Sequence, residues 1–257
     1  MSGQLLEGGG RQGSHALDQG SEEFAGASTR LSGRALDIAL GIHRLLPQGG
    51  LEDNCIRIAD ELKRRGHRVT IFVGGEHSQL DVPIVPLIPP RQSLFNHVRA
   101  ARFSRDFIAE TTGKFDRTVA FQPTPGADVL FIADRLRDRS MFNPLRWLHP
   151  RFYTYASLEK GCFRRGAGTR IIGVAEPQVA SFVERYGTEP ERVAVLPPAI
   201  AAEKHRPESR TAEARARVRR ELGIPGDATV WLWLALQPRV KGLDRVLAAL
   251  KLDPRTH

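Results

Sequence analysis

Apolar positions recur along this chain in two alternating rhythms. From Ala35 to Ile42 an apolar run broken only by Asp37 reads as a strand. Over Asn54–Arg65 the side chains of Cys55, Ile58, Ala59 and Leu62 return every three or four residues, as on one helical face. Gly66 closes that helix, and Arg68–Val73 is the next strand-like run. Between the first strand and the helix lies Pro47-Gln48-Gly49-Gly50-Leu51-Glu52, a glycine turn. The pattern predicts a βαβ unit whose loop leads into a helix N-terminus, where α/β sheets hold phosphates and nucleotides. Paired glycines here also serve simply as a tight turn. Gly-Gly-Leu-Glu does not match G-x-G-x-x-G, so the pattern disfavours a dinucleotide cofactor.

The alternation continues. Strands are expected at Ile84–Ile88, Arg117–Phe121, Asp128–Ile132, Arg170–Val174 and Arg192–Leu196. Helices are expected over about Leu94–Glu110, carrying Phe95, Val98, Phe103 and Phe107, and around Val179–Tyr186. Strands alternating with helices predict a mostly parallel, doubly wound sheet. Pro197-Pro198 breaks the series, and Ala201–Pro207 reads as a connector. A basic helix over Thr211–Leu222, a strand over Val230–Leu236 and a helix over Leu243–Leu250 follow, the beginning of a second βα domain. One strand and one helix bury too little surface for a core, so this domain reads as incomplete.

The expected organisation is a disordered tail over 1–34, an α/β domain over 35–200 and the incomplete domain over 201–257. The tail is rich in Gly, Ser, Gln and Glu, without the basic and apolar regions of a secretory signal. No apolar run approaches the roughly 20 residues that cross a bilayer. Cys55 and Cys162 lack metal-ligand spacing and read as structural thiols of a reducing, cytoplasmic compartment. The formal net charge of +9 calls for an anionic partner or surface. Much of it lies between residues 135 and 170, in Arg135, Arg137, Arg139, Arg146, Arg151, Lys160, Arg164, Arg165 and Arg170, opposed only by Asp138 and Glu159.

Several short runs occur in a telling order: Gly49-Gly50-Leu51 with Arg57-Ile58-Ala59, Arg65-Gly66-His67, Pro125-Gly126-Ala127-Asp128-Val129, and Ala133-Asp134. Arg151-Phe152, Tyr155-Ala156, Thr188-Glu189-Pro190-Glu191-Arg192, Leu196-Pro197-Pro198 and Lys241-Gly242 with Asp244-Arg245 complete them. In that order they resemble the retaining GT-B glycosyltransferases of family 4, and within them the branch that glucosylates heptose of the lipopolysaccharide core. The resemblance implies two Rossmann-like domains across a cleft, the first meeting the sugar acceptor and the second the nucleotide-sugar. It implies retaining transfer of glucose from UDP-glucose to a lipid-linked glycan, with no metal and no other cofactor. Backbone N–H groups and basic side chains would stabilise the leaving diphosphate instead.

Carried over residue by residue, Gly49 and Gly50 match the loop whose backbone approaches the donor phosphates, where a side chain would intrude. Asp134 matches an aspartate near the reacting sugar, which would position or deprotonate the acceptor hydroxyl; pairing with Arg135 or Arg137 is its alternative role. Lys241 matches the lysine that neutralises the departing diphosphate, with Arg239 a further candidate. The chain departs from the family at Val240, where an arginine is usual, at Ala235 and Ala199, where glycines are usual, and at Asn54. The family's Glu-x₇-Glu motif, which grips the donor, would lie past His257. On that reading the chain is a truncated form with little or no turnover.

Between residues 135 and 170 the charge is interleaved with aromatics, including Phe142, Trp147, Phe152, Tyr153, Tyr155 and Phe163. This mixture suits the anionic inner leaflet of a membrane, where Arg137, Arg139, Arg146, Trp147, Arg151, Arg164 and Arg165 would form a basic patch for lipid and acceptor. A partly buried helical insertion with solvated charges is the plainer alternative. Stacking on nucleic acid is another, against which stands the lack of any recognition motif. A non-catalytic relic that binds a membrane or partner is a third. The expected partners are therefore nucleotide-sugar, lipid-linked glycan and membrane, without nucleic acid.

Overall fold

The computed structural model describes residues 34–46, 49–78, 80–88, 95–134, 149–198, 210–234, 238 and 241–252. The tail over 1–33 and the connector Ala201–Pro207 lie outside the described residues, as do Arg137, Arg139, Arg146, Trp147, Arg239, Val240, Ala235 and Ala199. The chain divides into two units, Met1–Pro198 and Ala199–His257.

Seven short strands build the first unit: β1 (Asp37–Ile42), β2 (Arg68–Val73), β3 (Ile84–Pro86), β4 (Arg117–Ala120), β5 (Val129–Ile132), β6 (Arg170–Gly173) and β7 (Val193–Val195). They form one sheet in the order β3-β2-β1-β4-β5-β6-β7. Every pairing is parallel. Four helices connect them: α1 (Gly50–Arg64), α2 (Asn96–Thr111), α3 (Pro150–Phe163) and α4 (Glu176–Tyr186). This is the doubly wound, parallel α/β sheet expected from the sequence.

The period of two within β1 sorts its side chains between two cores. Ile38, Leu40 and Ile42 join Cys55 and Ala59 of α1 on one face. Ala39 meets Phe103 and Phe107 of α2 on the other. Leu130 and Ile132 of β5 and Ile171 of β6 share that second face with Cys162 and Phe163 of α3 and Val179 and Phe182 of α4. So α1 covers one face and α2, α3 and α4 the other. Gly41 lets α2 come close: a Cβ there would sit 2.9 Å from the Phe107 ring.

Four local expectations shift. Helix α1 starts at Gly50 rather than at Asn54, with Gly49 as its N-cap. The first turn needs no intrahelical N–H partner, so glycine and leucine join it readily. Helix α2 starts at Asn96, leaving Phe95 79% exposed, while Phe103 and Phe107 are fully buried. The last strand is shortened because Pro190–Arg192 forms a 3₁₀ turn before it. The fourth shift is a correction. Residues 230–234, expected as a strand, carry no strand pairing, and Leu232 and Leu234 are exposed. Apolar content favours a strand only where a neighbouring backbone completes the ladder, and among the described residues this segment has none. Among its described residues the second unit shows two helices, α5 (Ala212–Glu221), capped by the Thr211 hydroxyl accepting from the Ala214 N–H, and α6 (Leu243–Leu252).

Helices α3 and α4 meet through stacked rings, with Phe163 4.4 Å from Phe182 and 5.7 Å from Tyr186 between centroids. Below them, Arg192 donates to the carbonyl oxygens of Thr169, Arg164, Cys162 and Phe163, and to the Glu189 carboxylate at 2.7 Å. Those carbonyls include the unsatisfied last turn of α3, so a side chain from a distant loop caps it. Glu189 also accepts from the Gly166 N–H at 2.7 Å. That backbone N–H, Glu189's own N–H and then Arg192 hold its carboxyl at about 2, against an ordinary 4.5. A depressed folded-state pKa gives stability that is complete above the unfolded value and lost as pH falls through the folded one. Acidification from 4.5 toward 2 is therefore expected to destabilise the chain. Glu61, held at about 2 by Arg64 and Arg65, adds a similar slope. Urea midpoints at pH 7, 4 and 3 for wild type and Arg192→Met separate the two: the variant should be weaker at pH 7 and lose less on acidification. Equal slopes would remove Glu189 from the explanation.

Candidate functional site

Strand order reverses between β1 and β4, which follow different directions of winding from a shared edge. In open α/β sheets the crevice at the carboxyl ends of such strands is the usual ligand site. Here those ends lead to His43 after β1, Gly74 and Gly75 after β2, Gln122 after β4 and Asp134 after β5. A cleft of about 320 Å³ opens there, lined by Gln122, Pro123, Ile132, Asp134, Tyr155 and Glu159 together with Ala100 and Leu158.

Asp134 is exposed at this cleft. Its backbone carbonyl is fixed by Gln178, whose Nε2 donates to it at 2.7 Å and to the Ile132 carbonyl at 3.1 Å. The Gln178 Oε1 accepts from the Val174 N–H at 2.9 Å, so one buried amide ties the ends of β5 and β6 together. Glu159, buried on α3, accepts from the Tyr186 hydroxyl at 3.1 Å. Gln178 and Glu159 were not singled out from the sequence, because a polar residue on a helical face signals nothing until its partners are known.

At the N-terminus of α1 the Gly49 cap offers no side-chain acceptor to the first-turn N–H groups, and the Glu52 carboxylate lies beside it. The chain's own packing does not demand glycine there. A Cβ at Gly50 would meet nothing within 4 Å, and at Gly49 only the flexible end of Glu52. Lys241 belongs to the second unit, its carbonyl accepting from the Trp233 indole at 3.3 Å.

The basic candidates that are described do not form one patch. Arg151 stands in the first turn of α3, its guanidinium 5.9 Å from the Tyr155 ring centre, while Arg164 follows the last turn. Thirteen residues of helical rise separate them by about 20 Å. Arg164 lines a separate hollow of about 360 Å³ with Asp128, Gly166, Gly168 and Thr169, at the amino ends of β5 and β6.

Cys55 and Cys162 are fully buried and unpaired, and burial, before any other cause, pushes each thiol up to about 12. They are packing residues. Among the described residues, no group of three His, Cys, Asp or Glu side chains stands where it could hold a metal ion. No described helix is long and apolar enough to cross a membrane.

Comparison with known proteins agrees with this architecture. The family model for Glycosyltransferase Family 4 matches residues 48–204. The chain belongs to glycosyltransferase family 4. Among the family's relatives it is similar to the lipopolysaccharide glucosyltransferase WaaG of Escherichia coli (strain K12), at 28% identity over 225 residues. That match covers 85% of this chain and 59% of the relative. A crystal structure of WaaG, described as a glycosyltransferase involved in lipopolysaccharide biosynthesis, superposes with a TM-score of 0.73 at 29% identity, covering 84% of this chain and 60% of that one. A shorter match, 37% identical over 94 residues, joins it to the D-inositol 3-phosphate glycosyltransferase of Streptomyces bingchenggensis (strain BCW-1), covering 35% of this chain and 20% of that relative. The chain thus spans about three fifths of the WaaG relative and a smaller share of the inositol-phosphate one.

Proposed function

We propose that the first unit of this chain is the acceptor side of a retaining hexosyltransferase that moves glucose from UDP-glucose to a lipid-linked glycan of the lipopolysaccharide-core type. The observation that carries this reading is the cleft at the carboxyl ends of β4 and β5 with exposed Asp134 in its lining, in a chain similar to WaaG over 225 residues. Asp134 orients the acceptor hydroxyl and draws off its proton as the new glycosidic bond forms. The first-turn N–H groups of α1, approached across Gly49 and Gly50, neutralise donor phosphate oxygens. Lys241, with Arg239, screens the diphosphate as it leaves; a fixed cation aimed at developing negative charge lowers the barrier without a metal. Exposed Lys160, Arg164 and Arg165, at the carboxyl end of α3, hold the enzyme against an anionic inner leaflet.

Calorimetric titration with UDP and UDP-glucose, beside a Lys241→Ala variant, tests the donor half. Saturable UDP binding is expected, weakened on the order of tenfold in the variant by loss of a charge-assisted contact. A folded chain that binds neither nucleotide overturns the roles given to Gly49, Gly50 and Lys241. Flotation with anionic and zwitterionic vesicles across a salt series tests the membrane half. Equal binding to both vesicle types would sink it, and preferential retention of single-stranded DNA would favour the nucleic-acid alternative.

A further inference from the structure

A polar corner beside the cleft uses none of the groups assigned above. It is built from His43, Arg99 and Gln122. The Gln122 Oε1 accepts from the His43 backbone N–H at 3.1 Å, which leaves the Gln122 Nε2 as the donor end of that amide. Arg99, in the first turn of α2, donates through one terminal nitrogen to the Gly74 carbonyl at 3.1 Å. Gly74 and Gly75 let His43 and Arg99 come close, and the Gln122 amide joins them through the His43 backbone. A Cβ on Gly74 would lie 2.5 Å from the His43 ring, and one on Gly75 would lie 2.7 Å from the Arg99 guanidinium. Three nitrogens of this corner, His43 Nε2, Arg99 Nε and Gln122 Nε2, are buried without a hydrogen-bond partner among the described residues.

Buried donors left unpaired cost free energy, and an unpaired guanidinium costs more than a neutral group. No carboxylate of the described residues is paired with Arg99. Burial and then the Arg99 charge push His43 down to about 4, so its ring is neutral at pH 7 and one tautomer offers Nε2–H as a third donor. The corner therefore lacks an acceptor of negative charge. Gln122 also lines the cleft, and Ala100, next to Arg99, lines it too.

We propose that His43, Arg99 and Gln122 form an oxyanion subsite that receives a phosphate monoester or carboxylate carried by the acceptor sugar. The oxyanion accepts from Arg99 Nε–H and Gln122 Nε2–H, with His43 Nε2–H completing the set. This assignment rests on the acceptor-side reading of the cleft. It selects for an acidic acceptor over a neutral sugar, because an uncharged hydroxyl leaves the guanidinium uncompensated.

Inorganic phosphate is the first probe, followed by ¹H–¹⁵N NMR of the Arg99 Nε–H and Gln122 amide signals. The chains compared are wild type, Arg99→Met, Gln122→Met and, as a control on the same helix, Arg105→Met, with thermal melts showing that each is folded. Saturable shifts are expected in wild type and the control, with affinity weakened roughly tenfold or more in both corner variants. Absence of saturable binding to folded wild type overturns the subsite, as does equal weakening in Arg105→Met. Glucose 6-phosphate, glucuronate, glucose and UDP are then compared at the same signals. Preference for either acidic sugar over glucose and UDP supports the assignment. Preference for UDP there moves the anion to the donor and overturns the acceptor role. Failure of the subsite leaves the UDP calorimetry unchanged, so the two readings fail separately.

Discussion

Replacing Asp134 with asparagine is expected to lower whatever glucosyl transfer the wild-type chain supports by about 10²–10⁴-fold, mainly in kcat. Asparagine keeps the shape and the backbone carbonyl that Gln178 grips, and removes only the capacity to take a proton. Because Asp134 is exposed, the variant should melt like wild type. Labelled transfer from UDP-glucose to a heptose-bearing core acceptor, with the anomer of the product read by NMR, is the measurement. A variant within a few-fold of wild type would reduce Asp134 to a surface carboxylate. Asparagine also hydrogen-bonds a hydroxyl, so a loss confined to kcat marks proton transfer and one confined to KM marks positioning.

Phe163→Ala is expected to destabilise the first unit by about 3–5 kcal/mol, as large-to-small changes at fully buried aromatics do. Phe163 is wholly buried and stacks on Phe182 and Tyr186, so the truncation removes ring contacts from two helices at once. Its backbone carbonyl also accepts from the Thr188 hydroxyl at 2.6 Å, so the end of α3 would shift with the loss of its packing. Urea unfolding reads the change directly. A loss below about 1 kcal/mol would mean that the interface collapses into the space, contrary to the packing described.

Much of the sheet was legible because each strand is an apolar run bounded by turn residues, and because Cys55, Ala59, Phe103 and Phe107 fall on helical faces that are buried. Val230–Leu236 read the same way, yet its described residues, 230–234, are not a strand, since composition records apolarity but not the presence of a neighbour to pair with. Asp134 became a candidate through the order of short family runs alone, whereas Gly49 and Gly50 stood out already from the strand, glycine turn and helix around them. His43, Arg99 and Gln122 were missed for a related reason. His43 and Arg99 are 56 residues apart and Arg99 and Gln122 are 23 apart, and only the fold brings the loops after β1, β2 and β4 and the first turn of α2 to one corner. A signal did exist: a histidine directly after β1 and a glutamine two residues after β4 flank the point where strand order reverses. The split of the basic residues was hidden too, since a helix places Arg151 and Arg164 at opposite ends of the sheet although they are close in sequence.

The two outer strands of the sheet have a consequence for how the protein behaves in a crowded solution. β3 and β7 are three residues each, and β3 ends in Pro86, which has no N–H to offer. β7 is followed after one residue by Pro197-Pro198. A long parallel sheet forms slowly and exposes its margins while it does. Margins this short, interrupted by proline, give a second chain almost no backbone to add to, which guards the folding intermediate against edge-to-edge growth. Lengthening β3 with a Pro86→Val change would remove that guard, turning a boundary that ends the sheet into one that recruits copies of it.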